Sequence, residues 1–521
     1  MFAVSQNYTD RDFDSIRARV FSGLKSAFPF WTDLQVADIG TALVESFAFV
    51  GDIAMFNLDW AAREAKWGSA TQMRSILRLA PQIAYRPKGY SAASTTETIS
   101  AASLDASVTI LAGSIIQTKG QTPSSFQTLE SVSLSPGNLS VDVDVENSTS
   151  VSDTFAATSD PNQVFVLSRT PFLDGSETVV TGQGTWTRVD NFLDSRAADL
   201  HYVLTVDAND RAKATAGDGS MGALPIGSVG IAYKTWGGVT SPVPAGMLTE
   251  LQGSFYDALG TKVSLSATNA LATVGGDPRE TVASIKVKAP SSIRAGDRTV
   301  SRPDFETRGR ASAGVGRCLM LTRNEDPTVD PNTGMLWVVP TGMGFLTSPI
   351  RAAITAQFAL YPYAPSFVLD LMDPHYLDVA VFARIYLQGT AKASAVKAAV
   401  LANLNAWFAL TTLDSQGNVI DNPTSNFGYY TQDAGGVPVG SLSYSDLFNV
   451  VRDTAGVRKV GGAPEDFLLT SAITTVSGST AVQTNAHADL VITNRQYPRF
   501  PTLVLGASSL ILENGDTGAA L

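Results

Sequence analysis

The sequence of 521 residues predicts a multidomain α+β protein: an N-terminal helical bundle region, a β-rich middle of one or two domains, and a C-terminal α/β domain with a mixed or antiparallel sheet. Three observations predict it. The chain is longer than one ordinary hydrophobic core serves. Residues 1–85 carry apolar side chains at three- and four-residue spacing, the period of a helix face. From about residue 90, short β-prone stretches alternate with clusters of Gly, Ser, Thr, Asn and Asp, and from residue 275 helix and strand signals alternate. The expected divisions are a helical bundle region over 1–89, a β-rich region over 90–274, an α/β core over 275–460 and a strand-rich segment over 461–521.

Thr9 reads as the N-cap of the first helix, with Asp12 at the third helical position and Tyr8 and Phe13 as a hydrophobic staple. Phe13, Ile16, Val20 and Leu24 continue one face, and Pro29 ends it. A longer helix is expected from about Asp38 to Trp67. One apolar row runs through Ile39, Leu43, Phe47, Val50, Ala54, Leu58, Ala61 and Ala65, and a second through Phe49, Ile53, Phe56 and Trp60. A helix apolar on two sides must be covered on both, and little nearby sequence is available to do so. A short helix over 70–80 opens on a capping box, Ser69 with Gln72, and stops at Pro81.

In the middle region, strands are expected at 108–111, 164–167, 202–206 and 229–233. Further on, Asp277-Pro278-Arg279-Glu280 reads as a helix start, with Asp as N-cap and Pro at the first helical position, and Ser301-Arg302-Pro303-Asp304 repeats that logic. Strands follow at 317–322 and 335–340, then a helix over 349–361. Leu377, Val379, Val381, Ala383, Ile385 and Leu387 alternate along one strand face. Helices are expected over 392–408 and 444–452, and terminal strands at 472–476, 490–493 and 503–505.

Composition narrows the function. Lys and Arg total 37 against 48 Asp and Glu, a net charge of −11 with no basic run, so phosphate neutralisation cannot drive nucleic-acid binding and anionic membrane is disfavoured. Only 16% of residues are charged, so extensive partner contact costs little charge desolvation. The opening MFAVSQNYTDRDFD lacks a signal-peptide pattern, and no apolar run approaching a membrane span is expected, so the chain reads as soluble. Cys318, the single cysteine, reads as a small buried apolar residue within Cys318-Leu319-Met320-Leu321.

No catalytic constellation is legible. His201, His375 and His487 are isolated from one another, no zinc spacing or nucleophile elbow is present, and no cofactor is expected. The run Gly217-Asp218-Gly219-Ser220-Met221-Gly222 is followed by Pro225 and Gly227, which oppose the helix a phosphate cradle needs; it reads as a tight turn. Gly435-Gly436 reads the same way. Acidic oxygens at Glu325, Asp326 and Asp330 lack the full calcium-loop pattern.

Several ordered elements then carry a resemblance. Gly275-Gly276-Asp277-Pro278-Arg279-Glu280, Ile285-Lys286, Ala289-Pro290, Arg298-Thr299-Val300 and Asp304-Phe305 resemble the hallmark of the baseplate J-like family. Gly217-Asp218-Gly219, Gly222, Pro225, Gly227, Tyr233 and Gly237-Gly238 resemble its glycine-rich turn, with Ala216 where Phe is usual. Asp10–Asp14, Asp38-Ile39-Gly40, Asp52, Glu64 and 77–85 resemble its N-termini. The resemblance implies a wedge subunit of a contractile phage tail baseplate, located in the virion tail and assembled in the host cytoplasm. It implies no covalent chemistry. Implied partners are other wedge subunits through the N-terminal helices, further copies of the chain in a ring, and tail hub or sheath-proximal proteins; the ring relays the trigger for contraction. Neither nucleic acid nor membrane is a partner. The expected partner interface is Ile39, Leu43, Phe47, Phe49, Ile53, Phe56 and Trp60, and Gly275, Gly276, Glu280, Ala289, Pro290, Arg298, Asp304, Phe305, Gly217, Asp218 and Gly219 are expected framework. The rival readings are a receptor- or glycan-binding tail protein and a carbohydrate-active enzyme.

Overall fold

The computed structural model describes residues 11–30, 39–83, 85–295, 298–389, 391–413, 419–428, 431–432, 438–500 and 510–514. The fold is multidomain α+β, with N-terminal helices, a β-rich body of antiparallel and mixed sheets, and C-terminal helices packed on sheet. The chain divides into two compact units, Met1–Arg86 with Thr281–Pro290, and Pro87–Glu280 with Ser291–Leu521.

In the first unit, helix α1 (Phe13–Ala27) begins one turn later than the sequence suggests. Asp12 is its N-cap, accepting the Ser15 amide at 2.9 Å while its own amide donates to Ser15 Oγ at 3.0 Å. Tyr8, Thr9 and Asp10 lie outside the described residues, as does Asp38. Helix α2 (Ile39–Glu64) is followed by α3 (Met73–Leu79) and a 3-10 turn, Ala80–Ile83, which carries the chain past Pro81. The expected box of Ser69 and Gln72 does not form. Glu64 takes its place: its carboxylate accepts from the Thr71 amide (2.9 Å), the Thr71 hydroxyl (2.7 Å) and the Gln72 amide (3.1 Å), while Ser69 Oγ donates to the Arg63 carbonyl. Burial opposes charge on Glu64, but hydrogen bonds from Ser75, Thr71 and Gln72 outweigh it and hold its pKa down to about 2.

Helix α4 (Val282–Ala295) starts five residues beyond Asp277, a correction to the reading of Asp277-Pro278-Arg279-Glu280 as a helix start. Those residues stay extended because their polar groups are bound by the strand-like segment before residue 93. Ser91 N donates to the Asp277 carbonyl, Glu280 N to the Lys88 carbonyl, and Lys88 N to the Glu280 carboxylate. Within the first unit, Ile285 and Ala289 of α4 complete a small core with Ala70, Ile76, Ala80 and Tyr85.

The second unit opens with two seven-stranded sheets. The first runs in the order Leu248–Leu251, Ile115–Thr118, Ser125–Thr128, Ser140–Glu146, Ala93–Ala101 and Leu265–Asn269, with Val274–Gly275 also on Ala93–Ala101. Its ends meet at Asn269, whose carbonyl accepts from Gly246 N (2.8 Å) and whose Oδ1 accepts from Leu248 N (3.0 Å), so the sheet curls into a barrel. The second sheet runs Ser148–Ala156, Ser228–Trp236, Thr178–Thr181, Gly184–Val189, His201–Val206, Ala212–Ala216 and Val164–Val166. Its ends approach where Ser168 binds the Asp153 carboxylate and Phe155 meets Phe165 at 5.5 Å. Each sheet closes on its own apolar interior.

Further along, Val315–Leu321, Thr333–Pro340 and Val368–Met372 form a three-stranded mixed sheet. Helices α5 (Arg302–Ala311) and α6 (Ser348–Leu360) cover one face, where Phe305, Ile350, Ile354 and Phe358 meet Cys318, Met320, Leu336 and Val338. Leu319, Leu321, Trp337 and Val339 face the other way, into a cluster with Tyr376 and Tyr497. Burial on both faces is why residues 318–321 read as an unbroken apolar run. Helix α5 starts as expected, with Asp304 accepting from the Ser301 amide at 2.8 Å. The long strand His375–Leu387 pairs with Val457–Val460, Phe467–Thr475, Gln496–Arg499 and Leu510–Asn514. Its alternating residues from Leu377 to Leu387 are buried beneath α7 (Ala393–Phe408) and α8 (Tyr444–Arg452). The expected strand at 503–505 and the turn at Gly435-Gly436 lie outside the described residues.

Candidate functional site

Among the described residues of the first unit, α2 has an inverted surface. Its buried positions are Thr41, Val44 and Ala48 in its first half and Glu64 at its end. That side receives α1: Arg17 pairs with Glu45 at 2.9 Å, and a Cβ built on Gly51 would lie 3.3 Å from the Ile16 side chain. The charged groups Glu45, Asp52, Asp59 and Arg63 are all half-buried. The exposed positions between 39 and 61 are Ile, Ala, Leu, Ser, Phe, Val, Asn and nothing charged.

Both apolar rows expected from the sequence are therefore on the outside. Ile39 (79%), Phe47 (70%), Phe56 (63%), Phe49 (58%), Leu43 (56%) and Ile53 (46%) are exposed, with Val50 and Leu58 beside them, and Trp60 is half-buried. The covered row is a third one, because only small side chains there let α1 approach closely. By length and composition α2 is apolar enough to cross a membrane, contrary to the expectation that no such run exists, since Glu45, Asp52 and Asp59 are too widely spaced to break it up.

The framework residues lie elsewhere and explain themselves structurally. Gly275 and Gly276 have φ of +79° and +81°, and a Cβ on either would come within 2.7 Å of a backbone oxygen. Glu280 binds the Lys88 amide; Ala289 and Pro290 lie in α4; Arg298 is exposed; Phe305 is buried beneath α6. Gly217, Asp218 and Gly219 form a tight turn in which Asp218 Oδ1 accepts from the Ser220 and Met221 amides, both at 2.7 Å. Those amides face a carboxylate of the chain itself, which is what a phosphate would otherwise have to replace.

The histidines, the cysteine and the acidic groups singled out in the sequence lie apart from one another in structural settings. Ser195 binds His201 at 2.8 Å, His375 packs edge-on against Trp337, and His487 packs on Tyr444. Burial pushes the Cys318 thiol up to about 12. Asp326 accepts from Arg495 and Thr328, and Asp174 and Glu177 share the Arg188 guanidinium at 2.7 and 2.8 Å. Among the described residues, no cluster of three or more His, Cys, Asp or Glu side chains is placed to hold a metal.

No curated protein matches the sequence. In structure, the chain matches a chain of the anti-feeding prophage (AFP) baseplate, solved by cryo-electron microscopy and six-fold symmetrised. The match covers 93% of this chain and 90% of that one, at 12% identity and a TM-score of 0.30. Residues 12–82 match the family model of the bacteriophage baseplate protein N-terminal domain. That stretch contains the whole of α1, α2 and α3. Over the unit that carries the exposed helix, this chain is thus similar to the N-terminal domain of bacteriophage baseplate proteins.

Proposed function

We propose that this chain is a structural, non-enzymatic wedge subunit of a contractile phage tail baseplate, and that α2 is its principal assembly surface. The observation that carries the reading is the outward, uncharged apolar side of α2 within the stretch that resembles baseplate N-terminal domains. Each of its large side chains gains roughly 1.5 to 3 kcal/mol when fully covered. A patch of this extent on a soluble chain marks a surface that is covered in use.

The occupant is an apolar helical surface of another baseplate subunit. A bilayer fits less well, because Asp52 sits at the middle of α2 and Glu45 is tied to Arg17, so both charges would enter hydrocarbon together with α1. Helix against helix needs no unpaired charge and uses the ridge of Phe49, Ile53 and Phe56. Contacts with further copies in a ring, and with hub or sheath-proximal proteins, belong to the same proposal, as does relay of the contraction trigger. The virion tail baseplate is the site of action, after assembly in the host cytoplasm.

The test is the double substitution Phe49→Asp, Phe56→Asp in the full chain. Capture of other baseplate proteins on co-expression should fall by a hundredfold or more, since hot-spot aromatics carry about 2 kcal/mol or more each. The thermal midpoint of the isolated chain should move little. An equal loss of stability and capture would mean that these rings are ordinary core.

A further inference from the structure

Residues 148–236 form an inserted module. The chain leaves the first barrel at Glu146, builds the second sheet, and returns after Trp236. The module's apolar core, from Phe165 and Trp186 to Ile231 and Tyr233, draws only on its own residues, and so does the core of the barrel. Two bodies with separate cores can change their relative orientation at modest cost.

Two of the attachments between the bodies bear on that orientation; the Tyr90–Leu173 bridge, the Gln127 bonds to Ser148 and Ser150 and the Lys234–Glu146 ion pair also join them. The first is a neck where the outgoing and returning segments lie side by side. The Asn147 carbonyl accepts from Gly237 N at 3.0 Å, its Oδ1 accepts from Val239 N at 3.0 Å, and its Nδ2 donates to the Ser125 carbonyl at 2.7 Å. A Cβ on Gly237 would stand 2.4 Å from Asn147 Nδ2, so the crossing requires glycine. An open cleft of about 510 Å³ lies at this neck, lined by Ser125, Asn147, Ser148, Thr149, Gly237 and Gly238.

The second attachment is the tip of the hairpin between His201–Val206 and Ala212–Ala216. Asp207 preforms the tip by accepting from the amides of Asn209 (2.9 Å) and Arg211 (3.2 Å). Asp210, in the left-handed region at φ +60°, then presents its carboxylate outward. One oxygen accepts from the Tyr90 hydroxyl at 3.0 Å and the other pairs with Arg279, while the Tyr90 ring lies 4.7 Å from that of Trp236. Tyr90 and Arg279 stand on two strap segments, 87–92 and 276–280, that are hydrogen-bonded to each other. These straps are continuous in sequence with the first unit, which the chain leaves after Arg86 and re-enters at Thr281.

We propose that Asp210 is a releasable latch: it holds the inserted module in one orientation on the barrel, and a pull on either strap frees it. One carboxylate gathers donors from two chain segments, so displacement of either weakens the hold. Its ion pair is partly open to water, with side-chain exposures of 23% and 18%, so solvent replaces the lost partners. Nothing in the module's own core depends on the latch. The assembly reading enters only in naming the first unit as the source of the pull, and the test needs no partner protein.

The experiment places spin labels at Val180→Cys in the module and Leu259→Cys in the hairpin of Phe255–Tyr256 and Lys262–Val263, whose Phe255 and Val263 pack on the barrel core; the positions are 44% and 74% exposed, and Cys318 is buried in the full chain. Pulsed distance measurements should give one narrow distribution with the native latch. With Asp210→Ala or Arg279→Gln, the displaced population should rise roughly tenfold or more, the ratio set by a lost charge-assisted hydrogen bond. An unchanged distribution in a folded Asp210→Ala chain overturns the proposal. Should that chain fail to fold, Tyr90→Phe decides: it removes a single donor, and broadening supports the latch while an unchanged distribution overturns it.

Discussion

At Glu97 the barrel interior holds a carboxylate that is fully buried, and among the described residues neither oxygen has a hydrogen-bond partner. It sits across from Asn269 and Val143 in the strand pairing. Asn269 spends its amide on Leu248 N and the carbonyls of Pro244 and Leu271, leaving nothing for Glu97. Burial raises the Glu97 pKa to about 8. Because that value exceeds the unfolded one, folding takes up a proton: this group's contribution to stability is fully present below about pH 4.3, is lost as pH rises toward 8, and is level above. Glu97→Gln should therefore stabilise the chain by roughly 3 kcal/mol at pH 7 and flatten its stability between pH 5 and 8. Chemical denaturation across that pH range checks it, and an unaltered slope would show that Glu97 is solvated or paired. Alternation marks Glu97 as facing the same side as Ile99, yet sequence does not reveal whether a carboxylate among apolar neighbours has found a partner.

Among elements, Asn269 joins the two ends of the barrel sheet, binding Leu248 N, Gly246 N and the carbonyls of Pro244 and Leu271. Asn269→Ala leaves Leu248 N and two carbonyls without their partner, and each unsatisfied buried group costs about 1 to 3 kcal/mol. The variant should lose roughly 3 kcal/mol or more, read as a lowered denaturation midpoint, whereas an exposed change such as Leu259→Ser should be near neutral; equal effects would mean that closure is incidental. The start of α5 was legible because its own residues cap it, at Ser301 with Asp304. Where a distant segment competes for the same groups, local signals mislead. Asp277-Pro278-Arg279-Glu280 has every mark of a helix start, but residues 88–91 take its backbone groups and hold it extended. Glu64 likewise replaces the box expected from Ser69 and Gln72 by reaching across a turn that sequence spacing does not reveal. The two apolar rows of α2 were visible in its spacing. That both face outward was not, because α1 seats on the unremarkable row of Thr41, Val44 and Ala48.

For the whole molecule, charge and apolar surface are separated in a way that bears on how assembly responds to salt. The chain carries a net charge of −11, yet the exposed positions of α2 from 39 to 61 carry none. If that surface makes the principal contact, the interface has no Coulombic attraction to screen. Raising ionic strength from about 0.05 to 0.5 M shortens the Debye length to roughly 4 Å. It should leave capture of the partner unchanged or strengthen it, because the remaining effect is relief of repulsion between acidic bodies. The heat-capacity change of association should be negative, the mark of apolar burial. Calorimetry of the full chain with its captured partner at both salt concentrations measures both quantities. A tenfold weakening at high salt would place the contact on the charged surfaces of the β body instead, and α2 would then need another explanation for its exposed rings. Phe49→Asp, Phe56→Asp separates these cases independently, since it should abolish a salt-insensitive contact and spare a charge-driven one.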